Sequence, residues 1–180
     1  MALILAALWF LLPAGAANMA PVFARRLFPR WDFPVDGGRT LGGERLFGSH
    51  KTVRGLAAGI LASTLVFRLQ QEAWASSGMV RSLGLIDYRD APLWLGVLLS
   101  AGALGGDLLK SFLKRRLRIE PGRSWLPWDQ LDWMVGALLV AAPFVPMQPR
   151  FVAVALALGL LTSLLAKVLG YWLHLNEAPI

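Results

Sequence analysis

The chain has 180 residues, 56% of them apolar and only 16% charged, with a mean hydropathy of +0.55 and a formal charge of +7. Soluble domains carry about 25% charged residues, so this composition excludes a disordered chain, a collagen, a coiled coil and a soluble enzyme, and the length bounds it at one domain. The absence of cysteine removes disulfides, thiolate metal sites and cysteine nucleophiles, while eight Trp beside a basic excess suit a membrane protein with basic loops.

Five apolar stretches follow one another, each near the roughly 20 residues that cross a bilayer as a helix. The first, Met1–Ala24, carries no charged side chain. Its small residues Ala14-Gly15-Ala16-Ala17 resemble a signal-peptide cleavage site, but no positive region precedes the apolar core. The positive charge follows instead, as Arg25, Arg26 and Arg30, which predicts a retained helix with its N-terminus outside. The second stretch runs from Gly55 to about Trp74 and meets Arg68 and Glu72, four apart on one face and expected to pair at the outer boundary. The third is Ala91–Gly106, the fourth Trp133–Gln148, and the fifth runs from Phe151 to about Leu173, interrupted by Lys167. Gly55-xxx-Gly59 and Gly102-xxx-Gly106 permit close helix approach.

Loop charge sets the expected orientation. Residues 25–54 hold seven basic side chains (25, 26, 30, 39, 45, 51, 54) against three acids (32, 36, 44). Residues 107–132 hold six (110, 114, 115, 116, 118, 123) against four acids (107, 120, 129, 132). The connection 76–90 has Arg81 and Arg89 against Asp87 and Asp90, and 149–150 has Arg150 alone. Basic loops stay on the cytoplasmic side. The expectation is therefore an all-α, polytopic membrane protein. Five transmembrane helices over residues 1–180 form one membrane-embedded domain, N-terminus out and C-terminus in, and two cytoplasmic loops (about 25–54 and 107–132) form the active site.

A basic loop is most often a solvated surface facing lipid headgroups. These two differ because acids and bases interleave at helical spacing. Asp107, Lys110, Ser111 and Lys114 lie at i, i+3, i+4 and i+7, a single helix face leaving the membrane. Asp129 and Asp132, at i and i+3, point the same way at the mouth of the fourth helix. Carboxylates near a bilayer are costly unless paired or metal-bound, and Mg²⁺ takes oxygen ligands together with substrate phosphates. Two readings follow: a metal–phosphate site, or ion pairs that fix helix ends. The first loop adds Gly48-Ser49-His50-Lys51-Thr52-Val53-Arg54-Gly55, two cations and a hydroxyl between glycines, suited to phosphate. It is not a Walker P-loop, because Gly42-Gly43 stand too far from Lys51. His50 is either a base or a hydrogen-bonded surface residue. Asn18, before Pro21, either bonds freed backbone or lines a headgroup cavity.

Taken together, the motifs resemble those of the CDP-archaeol synthases, membrane relatives of the CDP-diacylglycerol synthases. The residues that carry the resemblance are Pro13-Ala14…Ala17-Asn18…Pro21-Val22, Pro34-Val35-Asp36-Gly37-Gly38, Lys51-Thr52-Val53-Arg54-Gly55, Gly106-Asp107…Ser111-Phe112…Lys114-Arg115-Arg116 and Pro127…Asp129-Gln130-Leu131-Asp132…Gly136-Ala137. The last two look like the S-x-x-K-R…D-x-x-D signature of lipid cytidylyltransferases. One departure is that Gly48-Ser49-His50-Lys51-Thr52 stands where family members read Gly-Asp-Gly-Lys-Thr.

The resemblance implies cytidylyl transfer from CTP to a lipid phosphate in the inner leaflet, an archaeal ether lipid such as 2,3-bis-O-geranylgeranylglycerol 1-phosphate, with release of pyrophosphate and Mg²⁺ (or Mn²⁺) as cofactor. It implies catalytic roles for Lys51, Arg54, Lys114, Asp129 and Asp132. Substrate or nucleotide contacts fall on Asn18, Asp36, Lys51, Thr52, Arg54, Ser111, Lys114 and Arg115, and the metal falls to Asp107, Asp129 and Asp132. No nucleic-acid partner is expected. A transporter or lipid flippase, with ionisable groups deep in several spans, and a non-catalytic membrane scaffold are the competing classes.

Overall fold

The computed structural model describes residues 1–120 and 123–172; the expected end of the fifth span at Leu173 and the C-terminus at Ile180 lie outside the described residues. The elements in order are α1 (Ala2–Leu27), β1 (Thr40–Leu41), β2 (Glu44–Arg45), α2 (Val53–Ser76), α3 (Gly78–Arg81), α4 (Trp94–Arg116), α5 (Trp128–Ala141) and α6 (Pro149–Trp172). The fold is mostly helical, as expected.

Each helix has a local cause. α1 continues through Pro13 and Pro21 and ends with Arg25 and Arg26 in its last turn, where cations complement the exposed carbonyls. Thr52 caps α2, its hydroxyl oxygen accepting the Gly55 N–H at 3.2 Å. α4 runs ten residues beyond the expected Gly106 and closes on Lys114, Arg115 and Arg116. α5 begins at Trp128, with Asp129 in its first turn, rather than at Trp133. It stops at Ala141 because Pro143 and Pro146 follow, and its 14 residues span only about 21 Å. Among the described residues, three helices, α1, α4 and α6, are long and apolar enough to cross a membrane.

Small residues let the helices approach. The most extensive pairings are α4 with α5 and α1 with α2. Ala14, Ala17, Ala103 and Ala137 are fully buried between them. Along the α4–α5 seam, backbone lies on backbone: a β-carbon on Gly102 would overlap Gly136, and one on Gly106 would overlap the Asp132 carbonyl oxygen. Gly59 of α2 likewise sits against the Ala17 carbonyl and Leu104. Two interior side chains bond across helices: Ser63 donates to the Gly96 carbonyl at 2.7 Å and Gln70 to the Trp9 carbonyl at 2.6 Å. Arg68 and Glu72 pair on the exposed face of α2, as their spacing predicts.

Candidate active site at the helix mouths

The α4–α5 seam determines where the carboxylates go. Asp107 follows Gly106, and Asp129 and Asp132 lie on the two α5 turns before Gly136, so the closest backbone approach in the pair also brings these side chains together. They converge on the ammonium of Lys110. Its Nζ lies 2.8 Å from Asp132, 3.1 Å from Asp107 and 3.4 Å from Asp129. Lys51, from the first loop, also pairs with Asp107. Lys114 donates to both oxygens of Asp129 at 3.1 and 3.2 Å and to the Arg123 carbonyl at 2.6 Å. The Trp125 N–H donates to Asp129 at 2.6 Å. Three carboxylates and three ammoniums thus form one charge-balanced cluster, each unlike pair supplying part of what burial costs the other.

Three cavities meet at Lys110. A polar cleft of about 400 Å³ lies under the first loop, lined by Glu44, Arg45, His50, Lys51, Ser111, Lys114 and Arg115. A central cavity of about 340 Å³ is lined by Asn18, Pro21, Thr52, Lys51 and all three aspartates. An apolar groove of about 330 Å³ runs between α4 and α5 along Leu109, Leu113, Trp125, Trp128, Leu131 and Leu139.

The expected site residues Asn18, Lys51, Thr52, Asp107, Ser111, Lys114, Arg115, Asp129 and Asp132 therefore share one chamber. Within it, the Thr52 hydroxyl is used as the α2 cap, and the Ser111 hydroxyl donates to the Asp107 carbonyl at 2.8 Å. Asp36 and Arg54 are placed differently. Neither lines these three cavities. Arg54 is buried, and its guanidinium donates to the Phe28 carbonyl and to Asp32 at 3.4 Å, tying the start of the first loop to the start of α2.

Asp36 is the internal hub of that loop. It accepts from Arg45 at 2.5 Å, from the Gly38 N–H at 2.9 Å and from the Phe47 N–H at 3.3 Å. Burial alone pushes its carboxyl up, but these donors outweigh burial and hold it at about 2. The hairpin β1–β2 follows, pairing Thr40 with Arg45 and Leu41 with Glu44. It turns through Gly42-Gly43, both at positive φ (59° and 84°), the conformation a two-residue hairpin turn requires.

Two residues outside the expected site set emerge. Lys110 is the centre of the cluster; its spacing of i+3 from Asp107 placed it on the right face but gave no sign that α5 would close on it. Arg116 reaches the hairpin, donating to the carbonyls of Leu41, Glu44 and Arg45, the last two at 3.1 Å.

The donor set suits a hard cation. Among the described residues, no group of three or more acidic or histidine side chains forms a ready-made metal cage. Yet Asp107, Asp129 and Asp132 already surround one positive charge with oxygen atoms, and all-oxygen ligation is what Mg²⁺ prefers. By that chemistry the residues fit the ion.

Fold and site together define an integral membrane protein with a charged chamber that opens beside an apolar groove, the arrangement of an enzyme working at the bilayer. A solved structure, described as an intramembrane enzyme for archaeal membrane lipids biosynthesis, is 36% identical and superposes with a TM-score of 0.70, covering 90% of this chain and 92% of that one. The family model described as CarS-like, CDP-archaeol synthase, matches residues 1–180. The CDP-archaeol synthase of Thermofilum pendens is 39% identical over 171 residues, 91% of this chain and 76% of that protein. That of Methanoculleus marisnigri is 39% identical over 155 residues, 81% and 89% respectively. The chain belongs to the CDP-archaeol synthase family.

Proposed function

We propose that this protein transfers the cytidylyl group of CTP to an archaeal ether-lipid phosphate, giving the CDP-lipid and pyrophosphate. The observation that carries this reading is the meeting of a polar, cation-rich cleft and an apolar groove at three carboxylates. Both cavities fall in the size range of small-molecule sites, about 300–1,000 Å³. The cleft suits the nucleotide and the groove suits an isoprenoid chain, so the lipid phosphate reaches the α-phosphorus of CTP at the cluster between them. An oxygen of the lipid phosphate attacks that phosphorus, the bond to the β-phosphate breaks, and pyrophosphate leaves. The nucleophile is already an anion, so no covalent intermediate and no deprotonating base is needed. The protein's work is to neutralise, align and hold.

In this reading Lys51, Lys114 and Arg115 hold phosphates, while Asn18, Thr52 and Ser111 add neutral contacts around the headgroup and nucleotide. Asp36 and Arg54 support the loop that carries Lys51. Asp107, Asp129 and Asp132 would hold Mg²⁺, with Mn²⁺ as a substitute, and the bound ion supplies charge neutralisation on the triphosphate. The whole chain acts as one membrane-embedded domain. Five helices cross, α1, α2, α4, α5 and α6, α2 despite its polar residues and the short α5 helped by its flanking segment. The N-terminus lies outside, and the loops 25–54 and 107–132 face cytoplasmic CTP, as their basic excess favours. Purified protein supplied with CTP, Mg²⁺ and a panel of lipid phosphates should release pyrophosphate and form a CDP-lipid, fastest with the isoprenoid ether. No pyrophosphate release with any lipid phosphate would overturn the reading.

A further inference from the structure

We propose that Lys110 is a further catalytic residue with two positions. In the nucleotide-free protein its ammonium occupies the place between Asp107, Asp129 and Asp132 that a divalent cation takes on loading. The ammonium then moves into the adjoining cleft and meets nucleotide phosphate. The inference rests on the proposed function and adds an order to it: the metal binds well only when a nucleotide receives the displaced lysine.

The geometry points to exchange rather than to a fixed ion pair. Asp107 and Asp129 each have a second ammonium partner, Lys51 and Lys114 respectively, whereas Asp132 pairs with Lys110 alone among the described ion pairs. Among the described ion pairs, Lys110 is thus the one cation shared by all three carboxylates, at 2.8–3.4 Å. Three carboxylates against three ammoniums sum to zero, so a divalent ion arriving at the intact cluster finds no net attraction. When Lys110 leaves, the carboxylates regain a negative balance at the point where the ion binds. The lysine has somewhere to go, because its side chain lines the polar cleft as well as the central cavity and the apolar groove. A four-carbon stem with staggered rotamers can redirect the ammonium without moving α4. In the cleft it would stand near Ser111 and Lys114, beside the proposed phosphate positions. Nucleotide and metal then strengthen each other's binding, and thermodynamic linkage makes that coupling equal in both directions.

The test is Mn²⁺ binding to the nucleotide-free protein in detergent, read from the loss of the free-ion electron paramagnetic resonance signal, with and without a non-hydrolysable CTP analogue. Removing the competing charge in K110Q should tighten Mn²⁺ binding without nucleotide by about tenfold or more, since one decade corresponds to about 1.4 kcal/mol. The analogue should tighten Mn²⁺ binding in the wild type and do so much less in K110Q. K110R, which keeps the charge, should bind Mn²⁺ no tighter than the wild type. K110A answers the same question if K110Q does not fold. Equal or weaker Mn²⁺ binding in both K110Q and K110A would overturn the proposal, as would K110R matching K110Q. A wild type that makes CDP-lipid while K110Q leaves Mn²⁺ affinity unchanged sinks this inference alone. Tighter Mn²⁺ binding in K110Q, with no CTP turnover in the wild type, sustains the exchange and sinks the activity instead.

Discussion

The α4–α5 seam and the loop 28–52 both deliver charges to the chamber, but they are held by different forces. The seam is backbone against backbone at Gly102, Gly106 and Gly136, with Ala137 and Ala103 fully buried beside it. No described side chain from 28 to 52 joins the hydrophobic core cluster. That segment hangs instead on Asp36, Arg54 and Arg116, which bond its own carbonyls and amides from inside and from two helices. Close packing has a steep repulsive wall and fixes a position tightly. Hydrogen bonds at a wet surface exchange with water and contribute about 0.5–1.5 kcal/mol each. The rigid seam carries the three carboxylates, and the hydrogen-bonded loop carries Lys51, which in the proposed function admits and releases a nucleotide.

The largest expected effects break the rigid side. Asp107→Asn, Asp129→Asn and Asp132→Asn should each abolish turnover while leaving helical content intact, because each removes one charge from the cluster at which the proposed function places phosphoryl transfer. Full activity in the D129N/D132N double variant would end the assignment of these residues to the reaction. Gly136→Val tests the seam itself, since its side chain would overlap Gly102 and force α4 and α5 apart. Overpacking of this kind costs about 1–3 kcal/mol, so a lower melting temperature should accompany lost turnover. A G136V protein with wild-type kinetics would show that the seam does not position the carboxylates.

How much of this was readable beforehand follows the same division. The apolar runs gave the long helices, and i, i+3 spacing put Asp129 and Asp132 on one face. Gly102-xxx-Gly106 announced a close contact. Spacing cannot say which helix meets which, or at what rotation, so Lys110 looked like one basic residue of several until α5 closed over it. The earlier end of α5 does not show in hydropathy, which continues through Pro143 and Pro146. Two prolines within four residues each remove a backbone donor and end the helix at Ala141, whereas the widely spaced Pro13 and Pro21 leave α1 helical. Asp36 and Arg54 carried motif identity, and a motif does not reveal that the side chain turns inward to hold the loop. Arg116 reaches partners more than seventy residues away in sequence, a contact that no local pattern encodes.

Intermediate effects separate the chamber from general basicity. Lys51→Ala, Lys114→Ala and Arg115→Ala each delete a charge-assisted contact worth about 1.5–3 kcal/mol. At about 1.4 kcal/mol per decade they should lower kcat/KM on the order of 10- to 100-fold. Arg30 and Arg39, exposed on the first loop and lining none of the three cavities, are the control, and the R30A/R39A protein should lose little. Equal losses in the two sets would mean that overall positive charge, not a defined phosphate cradle, is what the enzyme uses. Arg54→Ala belongs with the loop and should show mainly as reduced thermal stability, because its buried guanidinium is engaged by the Phe28 carbonyl.

The smallest expected effect lies on the adaptable side and asks whether the loop is positioned or merely attached. Arg116 stands at the end of α4, one turn beyond Phe112, whose ring its guanidinium covers at 5.3 Å. From there it donates to the carbonyls of Leu41, Glu44 and Arg45, the hairpin that contributes Glu44 and Arg45 to the wall of the polar cleft. Removing the fork frees the hairpin without touching the carboxylates, so nucleotide binding should weaken while the chemical step proceeds. Losing two or three neutral-acceptor bonds, partly replaced by water, should raise KM for CTP in R116A about 3- to 10-fold with kcat nearly unchanged. R116K should rescue poorly, because an ammonium on a flexible stem cannot reproduce a planar fork across three carbonyls. A fall in kcat at constant KM would instead place Arg116 with the reacting groups, and the division between rigid seam and adaptable loop would have to be redrawn around it.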